Sequence, residues 1–110
     1  MRTVIIEDET AAAVNLKALL KASYPEMEVV ALLESVTDAV EWFNANPAPE
    51  LVFMDIHLAD GNAFKIFNRI TIQSPIIFTT AYDQYALEAF KVNSVDYLLK
   101  PIAADDLNRA

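Results

Sequence analysis

Short apolar runs of strand length alternate with helix-like patterns along the whole chain, and this alternation leaves few folds open. Val4-Ile5-Ile6, Val29 to Leu33, Leu51 to Met54, Ile76 to Thr80 and Val95 to Leu99 read as five strands. Between them, apolar residues recur at three- and four-residue spacing. Thr10 can cap a first helix that carries Ala13, Leu16, Leu19 and Leu20, and Tyr24-Pro25 stops it. Ser35-Val36-Thr37-Asp38 starts a second through Val40, Trp42 and Phe43, which "NANPAP" ends. Asn62 opens a third with Phe64, Ile66, Phe67 and Ile70, Gln84 to Lys91 form a fourth, and a last helix begins near Ala103.

Strands alternating with helices imply an α/β fold, a parallel sheet covered on both faces. Strands that are apolar throughout suit burial on both sides. At 110 residues the chain makes one domain. Its final helix, to Ala110, would span about two turns, so a longer parent protein is expected, with that helix truncated.

Composition removes several function classes. The net charge of −8 opposes binding of a polyphosphate, so contact with nucleic acid by this domain itself is not expected. Without cysteine there is no disulfide, zinc thiolate or thiol chemistry. A single glycine, Gly61, is too few for a dinucleotide turn or a P-loop. No apolar run approaches the ~18 residues of a membrane helix, and a soluble, cytoplasmic domain without membrane contact is expected.

In open parallel sheets the functional crevice lies beyond the carboxyl ends of the strands, where strand order reverses. The first strand delivers Glu7, Asp8 and Glu9 there, the third Asp55, the fourth Thr79-Thr80 and the fifth Lys100. A strand order of 2-1-3-4-5 sets the first and third side by side, so Glu7, Asp8 and Asp55 converge. Each close carboxylate pair repels by about 4 kcal/mol at ~4 Å with an effective dielectric of about 20. A cation among them is one remedy, and an all-oxygen set suits Mg2+. Lys100 adds a mobile cationic donor and Thr80 a hydroxyl. An acid nucleophile, a metal, a cation and a hydroxyl together fit phosphoryl transfer onto Asp55. Acids at strand ends also serve as helix caps: Asp8 or Thr10 for the first helix, and Asp60 near the start of the third. Glu9 and Asp60 are read in that bland way.

Four separated motifs, "VIIEDE", "FMDIHLADG", "IIFTTAY" and "VDYLLKP", occur in the order and spacing of the receiver domain of bacterial two-component response regulators, which the chain resembles over essentially its whole length. "TTAYDQYALEAFKVNSVDYLLKPI" is similar to receivers of the LytR/AlgR (LytTR) type. The resemblance implies a flavodoxin-like (βα)5 three-layer sandwich and a signalling domain that assists its own phosphorylation and dephosphorylation. It implies that Asp55 accepts a phosphoryl group from a sensor histidine kinase. Glu7, Asp8, Asp55 and the backbone carbonyl of His57 would hold Mg2+. Thr80 and Lys100 would meet the phosphoryl oxygens, Thr80 and Tyr97 would form the switch, and Lys100-Pro101 would be a cis peptide. The output face would comprise Phe90, Lys91, Asn93, Asp96 and Arg109, with plain core as the competing reading of Phe90. That face would form a homodimer on phosphorylation, and DNA would be bound only through a separate LytTR-type output domain in transcription regulation. Ala59 departs from the proline that many receivers carry there, which is expected to loosen the turn. His57, the one histidine, is expected near the mouth of the site. With Tyr82 it would shield the acyl phosphate from water.

Other classes stay open on the residues alone. A haloacid-dehalogenase-like phosphatase also uses a strand-end aspartate with Mg2+, but needs a second aspartate where His57 stands. A flavodoxin-like electron carrier shares the architecture but lacks its hydroxyl-rich phosphate loop. A receiver that works without phosphorylation is the third.

Overall fold

The computed structural model describes residues 1–80 and 94–99, with Thr80 and residues 94–99 described by backbone alone. In chain order the elements are β1 (Arg2–Ile6), α1 (Thr10–Ser23), β2 (Glu28–Leu33), α2 (Val36–Ala45), β3 (Leu51–Asp55), β4 (His57–Leu58), β5 (Gly61–Asn62), a 3-10 helix (Ala63–Asn68), β6 (Ile76–Thr80) and β7 (Ser94–Leu99). Five of the strands form a parallel sheet in the order β2-β1-β3-β6-β7. With the small β4–β5 hairpin set aside, this is the expected 2-1-3-4-5 order. The expected helix over Gln84 to Lys91, the Lys100-Pro101 bond and the helix from Ala103 lie outside the described residues.

Side chains alternate across a strand, so each apolar run is shared between two faces. Val4 and Ile6 of β1, Val52 and Met54 of β3, and Ile76 and Phe78 of β6 join Val36, Ala39 and Val40 of α2 in one core. Ile5, Phe53 and Ile77 point the other way and meet Leu16 and Leu20 of α1. Burying each such large side chain is worth roughly 1.5–3 kcal/mol, and of these runs only Thr3 on β1 puts a fully buried polar side chain ahead of the strand tip. Phe78 also meets Phe64 at a ring-centroid distance of 5.4 Å and Phe67 at 6.4 Å.

Two expectations fail locally. The third helix is a 3-10 helix, Ala63–Asn68, and does not extend as an α-helix to Ile70. Asn62 does open it, its Oδ1 accepting the Phe64 N–H at 2.8 Å. Phe64, Ile66, Phe67, Ile70, Thr71 and Ile72 are aromatic or β-branched and lose rotamer freedom in an α-helix. The chain beyond is irregular and anchored instead: Ile72 is buried, and the Ser74 hydroxyl donates to the Pro49 carbonyl at 2.6 Å. The β4–β5 hairpin has no counterpart among the expected elements. Its turn closes at Gly61, whose φ of +140° disfavours any side chain.

The first helix also starts differently. Its N-cap is Glu9, without a capping bond from the side chain, and neither Asp8 nor Thr10 serves that role. Such a missing side-chain cap costs about 1 kcal/mol.

Candidate functional site

Strand register builds the site. β1 and β3 pair in parallel with Ile6 opposite Met54, so the residues that follow, Glu7 and Asp55, emerge at the same end of the sheet. Asp55 in turn is opposite Thr79, and Thr80 opposite Leu99. Asp55 is 3% exposed and Glu7 6%, although a carboxylate is among the costliest groups to bury. Carboxylate oxygens of Glu7, Asp8, Glu9 and Asp55 all lie within 4.8 Å of one another. Asp8 and Asp55, far apart in sequence, thus meet as expected. Glu9 joins them as well, a residue the sequence reading assigned to helix capping. Its signal was its place in an unbroken run of three acids at a strand end.

Backbone bonds hold these carboxylates in place. The Glu9 N–H donates to Glu7 Oε2 at 3.2 Å, and the His57 N–H reaches Asp55 Oδ1 at 3.4 Å. The Glu7 N–H donates to the Leu33 carbonyl at 2.7 Å, fixing the end of β1 against β2. Just past the phosphoacceptor candidate, the Ile56 N–H donates to the Thr79 carbonyl at 3.3 Å, and the Ile56 carbonyl accepts from Ala63 at 2.7 Å. His57 lies on β4 and is exposed, consistent with a place at the mouth of the site.

Asp60 is a cap, but for a different helix from the one expected. Its Oδ1 accepts the Val36 N–H at 2.6 Å, and its Oδ2 accepts the Thr37 N–H at 3.1 Å and the Thr37 hydroxyl at 3.0 Å. The bond from Val36 leads the causes that hold its carboxyl below the ordinary aspartate pKa of 3.8, followed by those from Thr37. Desolvation works in the opposite direction, second to the Val36 bond and ahead of each Thr37 bond, and the net effect is a lowered value.

Thr80 stands at the end of β6, and Asp96 and Tyr97 lie on β7 opposite Ile77 and Phe78. Their side chains, with Lys100, Tyr82, Phe90, Lys91, Asn93 and Arg109, lie outside the described residues. Within the described part the donor set fits a hard divalent cation: it is all oxygen and anionic, and two of its members are buried. A cation there would offset the mutual repulsion that otherwise opposes the cluster.

An open parallel α/β sheet with acids converging where strand order reverses is the arrangement in which such folds place a functional site. The chain belongs to the response regulator receiver domain family, whose pattern it matches over residues 3–110. It is 42% identical over 104 residues to the sensory transduction protein LytT of Bacillus anthracis, covering 92% of this chain and 42% of that protein. It is 34% identical to the transcriptional regulatory protein LytR of Staphylococcus aureus, covering 100% of this chain and 45% of that protein. The chain therefore spans less than half the length of these relatives. Among solved structures it is similar to the response regulatory domain of protein mrkE from Klebsiella pneumoniae, with a TM-score of 0.86 and 26% identity over 99% of this chain and 90% of that one. The receiver resemblance, its LytR/AlgR character and the flavodoxin-like fold are borne out. The family match leaves no place for the phosphatase and electron-carrier readings. Among the described residues no helix is long and apolar enough to cross a membrane.

Proposed function

We propose that the chain accepts a phosphoryl group on Asp55 from the phosphohistidine of a sensor histidine kinase. The observation that carries this is a nearly buried Asp55 carboxylate, 3% exposed, with three other carboxylates within 4.8 Å at the ends of β1 and β3. A carboxylate oxygen of Asp55 bonds to phosphorus as the phosphorus–nitrogen bond breaks, and the kinase imidazole keeps that electron pair. Water later hydrolyses the acyl phosphate, returning the carboxylate and inorganic phosphate. Glu7, Asp8, Asp55 and the carbonyl of His57 would hold Mg2+, which supplies charge neutralisation at the phosphoryl oxygens when bound. Glu9 stands close enough to add to the field that attracts the ion.

In this reading Lys100 and the Thr80 hydroxyl meet the phosphoryl oxygens, and Tyr97 turns inward as Thr80 moves, biasing a two-state equilibrium. The face around Phe90, Lys91, Asn93, Asp96 and Arg109 pairs two copies, and DNA is engaged through a LytTR-type domain outside this chain. Such a partner to a sensor kinase works in the cytoplasm.

The test is to add Mg2+ with acetyl phosphate or beryllofluoride to the wild type and to Asp55→Ala. Stoichiometric labelling and a larger particle in the wild type alone support the proposal. An unlabelled wild type leaves the phosphorylation-independent receiver as the answer.

A further inference from the structure

The link between the β2–α2 connection and the acid cluster reaches both sides of the site. The Leu33 carbonyl holds the backbone of Glu7 at 2.7 Å, and the Glu34 carbonyl accepts the Ala59 N–H at 3.3 Å. Two residues on, the N-terminus of α2 receives the Asp60 carboxylate through Val36 at 2.6 Å and Thr37 at 3.1 Å. One short stretch, residues 33–37, therefore grips the end of β1 and the segment that follows Asp55.

Capping alone does not account for Asp60. Helix α2 already has a local N-cap, Ser35, whose hydroxyl accepts the Asp38 N–H at 3.0 Å. The donors of Val36 and Thr37 are at a helix end that water could serve. They are met instead by a carboxylate delivered from 24 and 23 residues away, with both oxygens used and the Thr37 hydroxyl added at 3.0 Å. What this arrangement achieves beyond capping is a fixed distance between α2 and the β4–β5 turn. His57 lies in that same hairpin, paired with Asn62, and its amide reaches Asp55 at 3.4 Å.

We propose that Asp60 is a positioning residue for the divalent-cation and phosphoacceptor site, holding the segment after Asp55 in register with the β1 acids through the N-terminus of α2. This rests on the function proposed above. Ionisation of Asp60 at neutral pH supports it, since only the carboxylate serves all three donors at once and gains from the helix dipole.

Ser35→Ala is the matched control, because it removes a cap from the same helix without releasing the turn. Mg2+ affinity of the wild type, Asp60→Ala, Asp60→Asn and Ser35→Ala is measured by titration calorimetry, alongside urea unfolding. Amide NMR shifts of Ile56 and His57 are recorded without the ion. Asp60→Ala is expected to weaken Mg2+ binding by about ten-fold, the low end for residues that support metal ligands, and to shift both amides. Asp60→Asn, which keeps one carbonyl oxygen for Val36, falls between. Ser35→Ala loses stability but keeps wild-type affinity and shifts. Equal affinity in wild type and Asp60→Ala overturns the proposal, as does an equal loss in Ser35→Ala. If Asp60→Ala does not fold, Asp60→Asn against Ser35→Ala decides by the same criterion. A wild type that binds no Mg2+ overturns the metal-site reading itself, a different result from a wild type that binds while Asp60→Ala binds equally well.

Discussion

Ala59 donates its amide hydrogen to the carbonyl of Glu34 at 3.3 Å, across the gap between the segment after Asp55 and the start of α2. A proline at this position has no hydrogen to give. The departure from the family's usual proline therefore brings a tie of its own, where the sequence alone suggested a looser turn. Ala59→Pro removes a bond worth about 1 kcal/mol and stiffens the unfolded chain by a comparable ~0.4–1 kcal/mol. The net destabilisation in urea unfolding is expected to stay below about 1 kcal/mol. A larger loss would show that the Ala59 contact matters more than its length suggests.

Crowded carboxylates predict an unusual stability response at Asp55. Asp55→Asn removes one charge from a group whose oxygens lie within 4.8 Å of one another. With chelator present it is expected to stabilise the fold by on the order of 1 kcal/mol, from relief of repulsion between partly screened charges. Mg2+ should reverse the ranking, because a bound ion stabilises the wild type by about 2.7 kcal/mol at a hundred times its dissociation constant. Thermal midpoints of both proteins with and without Mg2+ check this. An Asn variant less stable than wild type in chelator would contradict it.

Acid should loosen the Asp60 tie. Because bonds from Val36 and Thr37 hold the folded carboxyl below its ordinary 3.8, its contribution is fully present above that value. It fades as pH falls through the depressed folded value. The stability difference between wild type and Asp60→Asn is expected to be constant from neutral pH to about pH 5 and to shrink below the ordinary aspartate range. Unfolding curves between those limits measure it, and a difference that grows in acid would refute the assignment.

Lifetime of the phosphorylated state should depend on bulk at the mouth. His57 is exposed on β4 beside Asp55, and Tyr82 follows Thr80 by two residues in the sequence. His57→Gly and Tyr82→Ala are each expected to speed loss of the phosphoryl group by several-fold through easier entry of water. Unchanged hydrolysis in both variants would end the shielding idea.

Asp55 and Asp60 show how unevenly the site could be read in advance. Asp55 is legible because four apolar residues lead straight to it, and the tip of a buried strand has no structural use for a carboxylate. Glu7 and Asp8 follow from the same logic on β1. The sequence marks Asp60 as a cap but points to the helix that follows it, whereas its carboxylate closes onto α2. Glu9 occupies the N-cap position of α1 without a side-chain capping bond, and its carboxylate lies with the other acids.

The amino-acid order by itself determined the alternating architecture, the pairing of each strand's two faces with opposite helices, and the end of the sheet where the acids emerge. Those features follow from period-two side-chain alternation and from chain connectivity, both of which act locally. Tertiary structure alone decided that Asp60 closes onto α2 and that the Glu9 carboxylate lies with that of Asp55. In each case the deciding partner comes from a distant part of the chain, and no local propensity carries information about a neighbour that folding has yet to supply.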